Sequence, residues 1–515
     1  MHRGSARAGS RARRACACAC AAVALSVLCG GAAAAPSATT VAVDAGSSFG
    51  AWTGFGVSLC WAGNVFGGNA ALADALFTVN ASVDLGAGVV VPGLGLQLAR
   101  YNAGGSSRAS DPPVLVPGQG GGAPVVWQPS PNMPGWKAIE SFWLAPNNSD
   151  PGSAAWDWSR DAAQRAQLAA ALARGATAQL FSNSPPWWAT PNLNPSGAAA
   201  GFDDNIAPDM YASHAAYLAT VAAEFATRFG VAFELVEPFN EPTGTWWTSK
   251  GTQEGCHVGP PAQAAILPLL RAALDARGLG ATGIAASDES LVDQAVATWL
   301  ALPPAARAAF DVLQVHGYEG ATGNRSGLYA LAHAAGKPVR NSEHGEGDFS
   351  GASLAAQFAL DVNILHITAF NYWQALDISG WGLLTADMER ATISAASTKY
   401  FVLAGLARHI RRGMTVLGTS APFAVAAFDP GASRLVVWAT NADASGALDL
   451  AVDLSAFSAA CRGLAVVRYA TDFSGAAGGD RYTRYDDTVM SGAGFAATLK
   501  PASAQTFVVE GCSAP

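Results

Sequence analysis

The stretch Phe233-Glu-Leu-Val-Glu-Pro-Phe-Asn-Glu-Pro242 decides how the fold is interpreted. Its apolar start predicts a short buried strand. The strand is expected to end abruptly at Asn240-Glu241-Pro242, because a proline ring permits neither further strand nor helix. The carboxylate of Glu241 is therefore expected at the C-terminal edge of a strand, as a candidate catalytic acid. A simple turn after a strand is the alternative explanation for these three residues.

A second carboxylate occupies the same kind of position 102 residues later. The segment Lys337-Pro-Val-Arg-Asn-Ser-Glu-His-Gly345 predicts another short strand, which ends at Glu343, two residues before Gly345. Cleavage of a glycosidic bond requires two carboxyl groups that face each other across the bond. Two strands that each end in an acid therefore predict chemistry of this kind.

Strands and helices alternate along most of the chain. The predicted strands span residues 55–61, 96–102, 177–183, 233–241, 283–288, 311–316, 337–343 and 369–374. Helical stretches separate them, for example residues 159–174, with Ser159 as the N-cap. Eight βα units in one run predict an α/β fold, the (β/α)8 TIM barrel, because parallel strands need helical crossovers and a closed ring leaves no edge. A doubly wound open sheet is the alternative.

Four segments divide the 515 residues. Residues 1–34 carry five arginines followed by an apolar run and small residues, which is typical of a secretory signal peptide. Residues 51–412 form the predicted barrel. From 413 to 515, short strands and turns predict an antiparallel β-sandwich, which a strand at residues 35–50 could join. The protein is therefore expected to be secreted, with its two chain ends tied together.

The charge balance argues against polyanionic partners. The formal charge is -8, and removal of five arginines with the signal peptide, which carries no acid, changes it to -13. A chain this acidic is not expected to bind nucleic acid or an anionic membrane, whereas a neutral substrate fits. No apolar run after the signal peptide is long enough to predict a membrane span. A monomer is expected.

Four cysteines follow the signal peptide: Cys60, Cys256, Cys461 and Cys512. In an oxidising compartment they predict disulfides with three pairings open, and Cys461 with Cys512 is favoured because both lie in the last segment. No close pair of Cys or His has the spacing of a zinc site, so neither a metal nor another cofactor is expected. Three triplets are N-glycosylation sequons, those at Asn80, Asn147 and Asn324.

Polar and aromatic residues cluster where the predicted strands end. Active sites of such barrels lie at the C-terminal ends of the strands. Core strands have no packing reason to end this way eight times, so a shared polar pocket is expected, although ordinary loop polarity would explain any single residue. The candidates for substrate contact are Trp61, Arg100, Asn102, Asn183, Trp187, Trp188, Asn240, His316, Tyr318, Trp373 and Gln374.

Tryptophan is abundant, with fifteen residues in the chain. Many of them fall in presumed loops on the face where the strands end, including an insertion at residues 105–155 that is longer than ordinary loops. Indoles stack on the flat C–H faces of sugar rings, so a polysaccharide or oligosaccharide substrate is expected. Core packing is the alternative for part of them, notably Trp156, Trp158 and Trp438.

Several segments between Gly54 and Gly413 resemble glycoside hydrolase family 30, in particular its endo-β-1,6-galactanase branch, and they occur in the right order. These segments are Gly54-Phe-Gly-Val-Ser-Leu-Cys-Trp61, Arg100-Tyr-Asn-Ala-Gly-Gly105, Phe181-Ser-Asn-Ser-Pro-Pro-Trp-Trp188, Glu237-Pro-Phe-Asn-Glu-Pro242, Gln253-Glu-Gly-Cys256, Ser287-Asp-Glu289, Ser342-Glu-His-Gly345 and Tyr372-Trp-Gln374. The insertion departs from any pattern of the family.

The resemblance implies a (β/α)8 barrel with a β-sandwich attached to its side, and cleavage with retention of anomeric configuration. Glu241 would be the acid/base and Glu343 the nucleophile, with Glu346 as a rival in the loop beyond the strand. In a retaining enzyme the two carboxyl groups stand roughly 5 to 5.5 Å apart. Arg100 and Tyr318 are expected to lower the pKa of Glu343 through charge and hydrogen bonding.

The activity that the resemblance implies is that of a secreted endo-β-1,6-galactanase acting on galactan side chains such as those of arabinogalactan proteins. Another family 30 hydrolase acting on β-1,6-glucan, xylan or glucosylceramide is a near alternative, since linkage choice depends on loop shapes. A non-catalytic carbohydrate-binding protein on a disabled barrel is the alternative from another class. The presence of both carboxylates argues against it.

Overall fold

Eight parallel strands form a closed barrel in the computed structural model, which describes residues 38–457, 461, 463–476 and 478–513. The predicted signal peptide, residues 1–34, lies outside the described residues. The barrel strands are β1 (Gly54–Ser58), β2 (Leu98–Asn102), β3 (Thr177–Phe181), β4 (Phe233–Glu237), β5 (Gly283–Glu289), β6 (Val312–Val315), β7 (Val339–His344) and β8 (Ala369–Gln374). Strand β8 pairs with β1 and closes the ring. The predicted fold class is confirmed.

Helices connect the barrel strands and cover their outer face. In the described part of the chain they are α1 (Ala62–Phe66), α2 (Ala70–Phe77), α3 (Ala162–Leu172), α4 (Tyr211–Phe229), α5 (Pro260–Asp275), α6 (Val292–Ala301), α7 (Pro304–Ala308), α8 (Arg325–Ala334), α9 (Ala352–Asn363) and α10 (Thr398–Ala407). Helix α4 ends where Gly230 adopts a left-handed conformation with φ of 66°. Helix α3 begins three residues later than Ser159, because the amide and hydroxyl of Ser159 both bond to Asp157 in the preceding turn.

The long insertion between β2 and α3 has an aromatic core of its own. Trp156 stacks on Trp143 with ring centroids 4.8 Å apart, and on its other side lies Trp158 at 5.3 Å. The ring of Phe142 stacks on Trp158 at 5.3 Å. Trp156 and Trp158 therefore act as packing residues, and the insertion is an ordered part of the barrel mouth.

The C-terminal strands form the β-sandwich. They are β9 (Thr415–Thr419), β10 (Ala424–Asp429), β11 (Arg434–Asn441), β12 (Leu448–Asp453), β13 (Ala465–Asp472), β14 (Arg481–Val489), β15 (Gly494–Leu499) and β16 (Ser503–Glu510). The N-terminal strand Thr39–Ala51 pairs with both β9 and β12, so it links the two parts of the sandwich. Short strands elsewhere are Val83–Asp84, Val90–Val91, Leu376–Asp377, Leu384–Asp387 and Thr392–Ala396.

The sandwich packs against the last two helices of the barrel. Phe358 of α9 meets the ring of Trp438 on β11 edge to face, with centroids 5.6 Å apart. The hydroxyl of Thr506 on β16 donates to the Gly405 carbonyl of α10 at 2.7 Å. Buried apolar and hydrogen-bonded contacts therefore join the two modules. Among the described residues, no helix combines the length and apolar character needed to cross a membrane.

Removal of the disulfide is expected to destabilise the sandwich without affecting catalysis. Cys461 and Cys512 form a disulfide that closes a loop with a sequence separation of 51. Closure of such a loop stabilises a folded protein by about 2–4 kcal/mol. The variant Cys461→Ser/Cys512→Ser should melt at a lower temperature in differential scanning calorimetry and keep wild-type turnover at low temperature. An unchanged Tm would contradict the expectation, and wild-type protein under reducing conditions serves as the control.

Candidate active site

The first acidic residue of the site lies in a turn beyond its strand. Strand β4 ends at Glu237, earlier than the sequence indicates, because Pro238 has no amide to continue the ladder. Glu241 follows with φ of 49°, a left-handed conformation that costs a non-glycine residue roughly 1–2 kcal/mol. Its amide donates to the Asp288 carbonyl at 2.8 Å, and its carbonyl accepts from Trp247 Nε1 at 2.9 Å. These two bonds hold the turn in place.

The second acidic residue is part of a strand. Glu343 lies in β7, directly before the strand's last residue. Its Oε2 accepts a hydrogen bond from Arg100 Nη1 at 2.9 Å, and its Oε1 accepts one from the Tyr318 hydroxyl at 2.9 Å. The carboxylate is therefore fixed from two sides, by a cation and by a neutral donor.

The two carboxylates face each other across a buried histidine. His316 Nδ1 lies 3.2 Å from Glu241 Oε1 and 3.5 Å from Glu343 Oε1. One oxygen of Glu241, one oxygen of Glu343 and a ring nitrogen of His316 all lie within 4.8 Å of one another. Residues from β4, β6 and β7 and from the turns that follow these strands therefore converge on one point at the barrel mouth.

A fully buried arginine organises the floor of the site. Arg100 Nε donates to Glu237 Oε2 at 2.7 Å, and Nη2 donates to Asp288 Oδ2 at 2.6 Å and to Asn240 Oδ1 at 3.0 Å. Together with Glu343, three carboxylates from three different strands share this one guanidinium. Glu237 and Asp288 were not predicted as site residues. An arginine on a buried strand requires acidic partners, and that requirement could have pointed to them.

Burial sets the protonation of the site. It raises the pKa of Glu343. The positive charge of Arg100 lowers this pKa, as predicted, and so does that of His316, but together they offset the burial only in part, so the net shift is upward. Burial alone would lower the pKa of His316, but the charges of Glu343 and Asp288 outweigh it and hold His316 protonated. Burial also raises the pKa of Glu237 to about 7 against the pull of Arg100.

A pocket of about 440 Å³ opens above the two carboxylates. Of the predicted residues, Asn240, Tyr318 and Trp373 line it beside Glu241 and Glu343. Three further lining residues, Trp246, Trp247 and Trp381, belong to the loop tryptophans that the sequence indicated on this face, whereas Lys250, Gly251, Thr252 and Gln253 were not among the predicted contacts. Most of these lie in one loop, at residues 246–253. Its signal in the sequence was the pair of tryptophans that follows Asn-Glu-Pro.

Trp61, Asn102, Asn183 and Trp187 are predicted contact residues that do not line this pocket. Trp61 meets Trp373 edge to face, with centroids 5.2 Å apart, and Trp187 lines a smaller, separate cavity. Asn102 is buried, where its Oδ1 accepts from the Asn183 amide at 3.4 Å.

Trp188 faces away from the pocket. Its Nε1 donates to the Trp143 carbonyl at 2.9 Å, which places it in the core under the insertion. Gln374 is buried at the end of β8 and does not line the pocket. The structure therefore does not bring either residue to the opening.

Glu346, the rival of Glu343, has partners of its own. Its Oε1 lies 3.2 Å from Lys399 Nζ, and its Oε2 lies 2.7 Å from His344 Nε2. Hydrogen bonds from Lys399 to the Glu346 and Gly380 carbonyls, at 2.7 Å each, tie together the loops after β7 and β8. Glu346 therefore supports these loops and does not line the pocket.

Comparison with known proteins agrees with this geometry. Residues 38–297 match the sequence model of O-glycosyl hydrolase family 30. The chain is 41% identical over 475 residues to an endo-beta-1,6-galactanase from Hypocrea rufa, covering 92% of this chain and 95% of that protein.

Solved structures show the same fold at low sequence identity. A conserved exported protein from Bacteroides fragilis has a TM-score of 0.70 at 16% identity, covering 92% of this chain and all of its own. A family 30 subfamily 8 xylanase from Clostridium acetobutylicum has a TM-score of 0.63 at 17% identity, covering 92% and 99%. From the family match and the relative, the chain belongs to O-glycosyl hydrolase family 30 and is a glycoside hydrolase.

Proposed function

We propose that this enzyme is a secreted endo-β-1,6-galactanase that cleaves with retention of configuration, with Glu343 as nucleophile and Glu241 as acid/base. The separation of their carboxylates carries the mechanism. One oxygen of each carboxylate lies within 4.8 Å of the other, which fits the separation of roughly 5 to 5.5 Å in retaining enzymes better than the roughly 6.5 to 9.5 Å of inverting ones. The substrate rests on the similarity to the Hypocrea rufa endo-beta-1,6-galactanase.

In the first step Glu343 attacks the anomeric carbon while Glu241 gives its proton to the departing glycosidic oxygen. Arg100 and Tyr318 hold one oxygen of Glu343 each. Both oxygens of Glu241 accept a hydrogen bond, Oε1 from protonated His316 Nδ1 and Oε2 from Trp246 Nε1, each at 3.2 Å, and these two bonds orient the acid toward the departing oxygen. The products are a glycosyl ester on Glu343 and a free sugar end.

In the second step Glu241 takes a proton from water, and the water attacks the same carbon from the side that the leaving sugar has vacated. Glu343 then departs as a carboxylate, and two inversions give net retention. Asn240 Oδ1 is occupied by Arg100, so its Nδ2 is the atom available to donate to the sugar 2-hydroxyl. The indole of Trp373 provides an apolar floor for the reacting ring.

Two features support secretion. Residues 1–34 have the arginine-rich start, apolar run and small residues of a signal peptide. The disulfide between Cys461 and Cys512 fits an oxidising compartment. Expression of the full chain in a eukaryotic secretory host tests this proposal, which predicts protein in the medium with a new N-terminus near residue 35.

A panel of polymers tests the substrate. Purified enzyme should release oligosaccharides of several lengths from β-1,6-galactan and leave β-1,6-glucan, xylan and glucosylceramide intact. Cleavage of one of these three substrates instead of galactan would show that the enzyme has another activity of the same family. Binding to galactan without any product would favour a carbohydrate-binding protein. Proton NMR of the first product tests retention, because a β-anomer is expected before mutarotation.

The variant His316→Gln is expected to shift the pH dependence of the enzyme. Glu343 must be ionised to attack, so activity falls as the pH drops through its pKa, which burial holds above the ordinary 4.5. Protonated His316 lowers that pKa, and a neutral glutamine removes this effect. The acid limb of kcat/KM should therefore move to higher pH, in profiles measured beside the exposed control His333→Gln. An unmoved limb would show that His316 does not influence Glu343.

A further inference from the structure

A proline-rich segment of the insertion contacts the pocket loop from outside. We call residues 128–137 the strap and residues 246–253 the wall loop. Ser130 Oγ donates to the Gly251 carbonyl at 2.6 Å, and Asn132 Nδ2 donates to the Lys250 carbonyl at 2.8 Å. Lys250 and Gly251 both line the pocket. Two side chains of the strap therefore hold the backbone of the pocket wall.

The other end of the strap is fixed on the opposite side of the mouth. Trp136 Nε1 donates to Glu389 Oε1 at 2.8 Å, and the Trp136 carbonyl accepts from Asn64 Nδ2 at 3.0 Å. Lys137 Nζ lies 3.8 Å from the centre of the Trp61 ring, and Trp61 in turn packs against the pocket residue Trp373. One segment of ten residues therefore bridges both sides of the pocket.

The composition of the strap makes it stiff. Its sequence is Gln128-Pro-Ser-Pro-Asn-Met-Pro-Gly-Trp-Lys137, with three prolines in six residues. Each proline ring fixes φ near -65°, so the segment loses little conformational entropy when it is held in place. Ser130 Oγ also accepts from the Asn132 amide at 3.2 Å, which fixes the two anchoring residues relative to each other. The strap is therefore a preorganised support for the wall loop.

The strap holds the second half of the wall loop, at Lys250 and Gly251, whereas the first half is held from elsewhere: Trp247 Nε1 donates to the Glu241 carbonyl at 2.9 Å, and the Ser249 amide donates to the Ala198 carbonyl at 2.7 Å. Within the described residues, the Lys250 carbonyl accepts one hydrogen bond, from Asn132, and the Gly251 carbonyl accepts one, from Ser130. The loop begins next to Glu241, since Trp246 Nε1 lies 3.2 Å from Glu241 Oε2. An acid that protonates the glycosidic oxygen must lie beside the departing sugar. The wall loop therefore faces the part of the substrate that leaves.

We propose that the strap determines how tightly the enzyme holds the departing half of its glycan, by fixing the wall loop through Ser130 and Asn132. This inference rests on the proposed function, because it takes Glu241 as the acid. The ligand at this wall is a short run of neutral pyranose units on the reducing-end side of the cleaved bond. The strap acts through the wall loop, so Ser130 and Asn132 are positioning residues.

The double variant Ser130→Ala/Asn132→Ala tests the proposal. Loss of two hydrogen bonds should raise KM for β-1,6-galacto-oligosaccharides roughly three- to tenfold with little change in kcat. A dinitrophenyl β-glycoside of β-1,6-galactobiose has no sugar on the departing side, so its kcat/KM should stay within about twofold of wild type. Ser130→Thr, which keeps a hydroxyl, should restore part of the affinity in the presence of Asn132.

The matched control changes the same residue types elsewhere in the insertion. The side chains of Asn148 and Ser153 bond to the backbone of Asp150 and Ala155 in their own turn, away from the wall loop. Asn148→Ala/Ser153→Ala should leave KM for the oligosaccharides unchanged. The proposal is overturned if Ser130→Ala/Asn132→Ala lowers kcat/KM equally on both substrates, or if it lowers kcat/KM on neither.

Failure of the proposed function can be distinguished from failure of the strap proposal. If the proposed function is wrong, the wild-type enzyme cuts no β-1,6-galactan. The same comparison of variants is then made on whichever glycan of the panel it does cut, with the dinitrophenyl glycoside of the corresponding disaccharide. A KM effect confined to the oligosaccharide would support the strap on that glycan, and its absence would refute it.

Discussion

Replacement of Glu343 with alanine is expected to lower kcat on β-1,6-galactan by a factor on the order of 10⁵, because the covalent route then lacks its nucleophile. No neighbouring acid can take over. Glu237 and Asp288 are bound to Arg100, and Glu346 is bound to Lys399. Glu343→Gln keeps the size of the side chain, so an equal loss in that variant would show that charge rather than shape is required.

Azide provides a positive readout for the same variant. In Glu343→Ala a small anion can enter the vacated side and attack an aryl β-glycoside, which should give a glycosyl azide of α configuration. In Glu241→Ala the ester on Glu343 still forms, so azide attacks from the opposite face and should give the β product. The two configurations, determined by proton NMR, assign the two roles independently of rate.

The rival Glu346 is the control for this assignment. Glu346→Ala removes a partner of Lys399 and His344 and is expected to lower activity through the loops after β7 and β8. It should give no azide adduct. An α-azide product from Glu346→Ala, together with turnover in Glu343→Ala, would transfer the nucleophile role to Glu346.

The alternation of strands and helices could be predicted from the sequence, because each barrel strand is an apolar run between turn residues. Element ends were less predictable. Asn-Glu-Pro was expected to end β4, but the strand stops at Glu237, since Pro238 already removes a ladder donor. Ser159 resembles a helix cap, yet its side chain is engaged by Asp157. Such local competition between hydrogen-bond partners decides boundaries, and a pattern of residue types does not show which partner wins.

Convergence at the site was predictable only in part. The position of Glu343 at the barrel mouth follows from the end of its strand. The acids that surround Arg100 could not be predicted in this way, because closure of the barrel brings Glu237 and Asp288 to Arg100 from separate strands. Neighbours in sequence can also diverge. Trp187 lines a cavity, whereas Trp188 points into the core, because a 3-10 turn at Trp187–Ala189 rotates one away from the other.

The direction of the Glu343 pKa shift shows a further limit. Sequence motifs named the donors Arg100 and Tyr318 correctly as contacts of Glu343. They carried no information on how deeply the carboxylate is buried, and burial outweighs the positive charges around it. Desolvation depends on the whole mouth of the barrel, including the insertion, and so requires the tertiary structure.

The variant Arg100→Met is expected to lower stability and activity together. It removes the one cation that Glu237, Asp288 and Glu343 share at distances of 2.6 to 2.9 Å. Loss of one partner of a buried ion pair costs roughly 3–5 kcal/mol. Protonated His316 remains 3.4 Å from Asp288 and 3.5 Å from Glu343, so the largest cost is expected at Glu237. Thermal unfolding should therefore show a clear drop in Tm, and the size of this drop separates the effect from that of Glu343→Ala, which leaves Arg100 with two carboxylates.

The pH dependence of the same variant identifies the cause. Arg100 lowers the pKa of Glu343, so its removal raises that pKa and moves the acid limb of kcat/KM to higher pH. Arg100→Lys keeps the charge, but a single ammonium cannot reproduce the fork that reaches three strands at once. It should retain more stability than Arg100→Met and show a smaller shift of the acid limb. A methionine variant with wild-type Tm and pH profile would contradict the role of Arg100 as the shared partner of these three carboxylates.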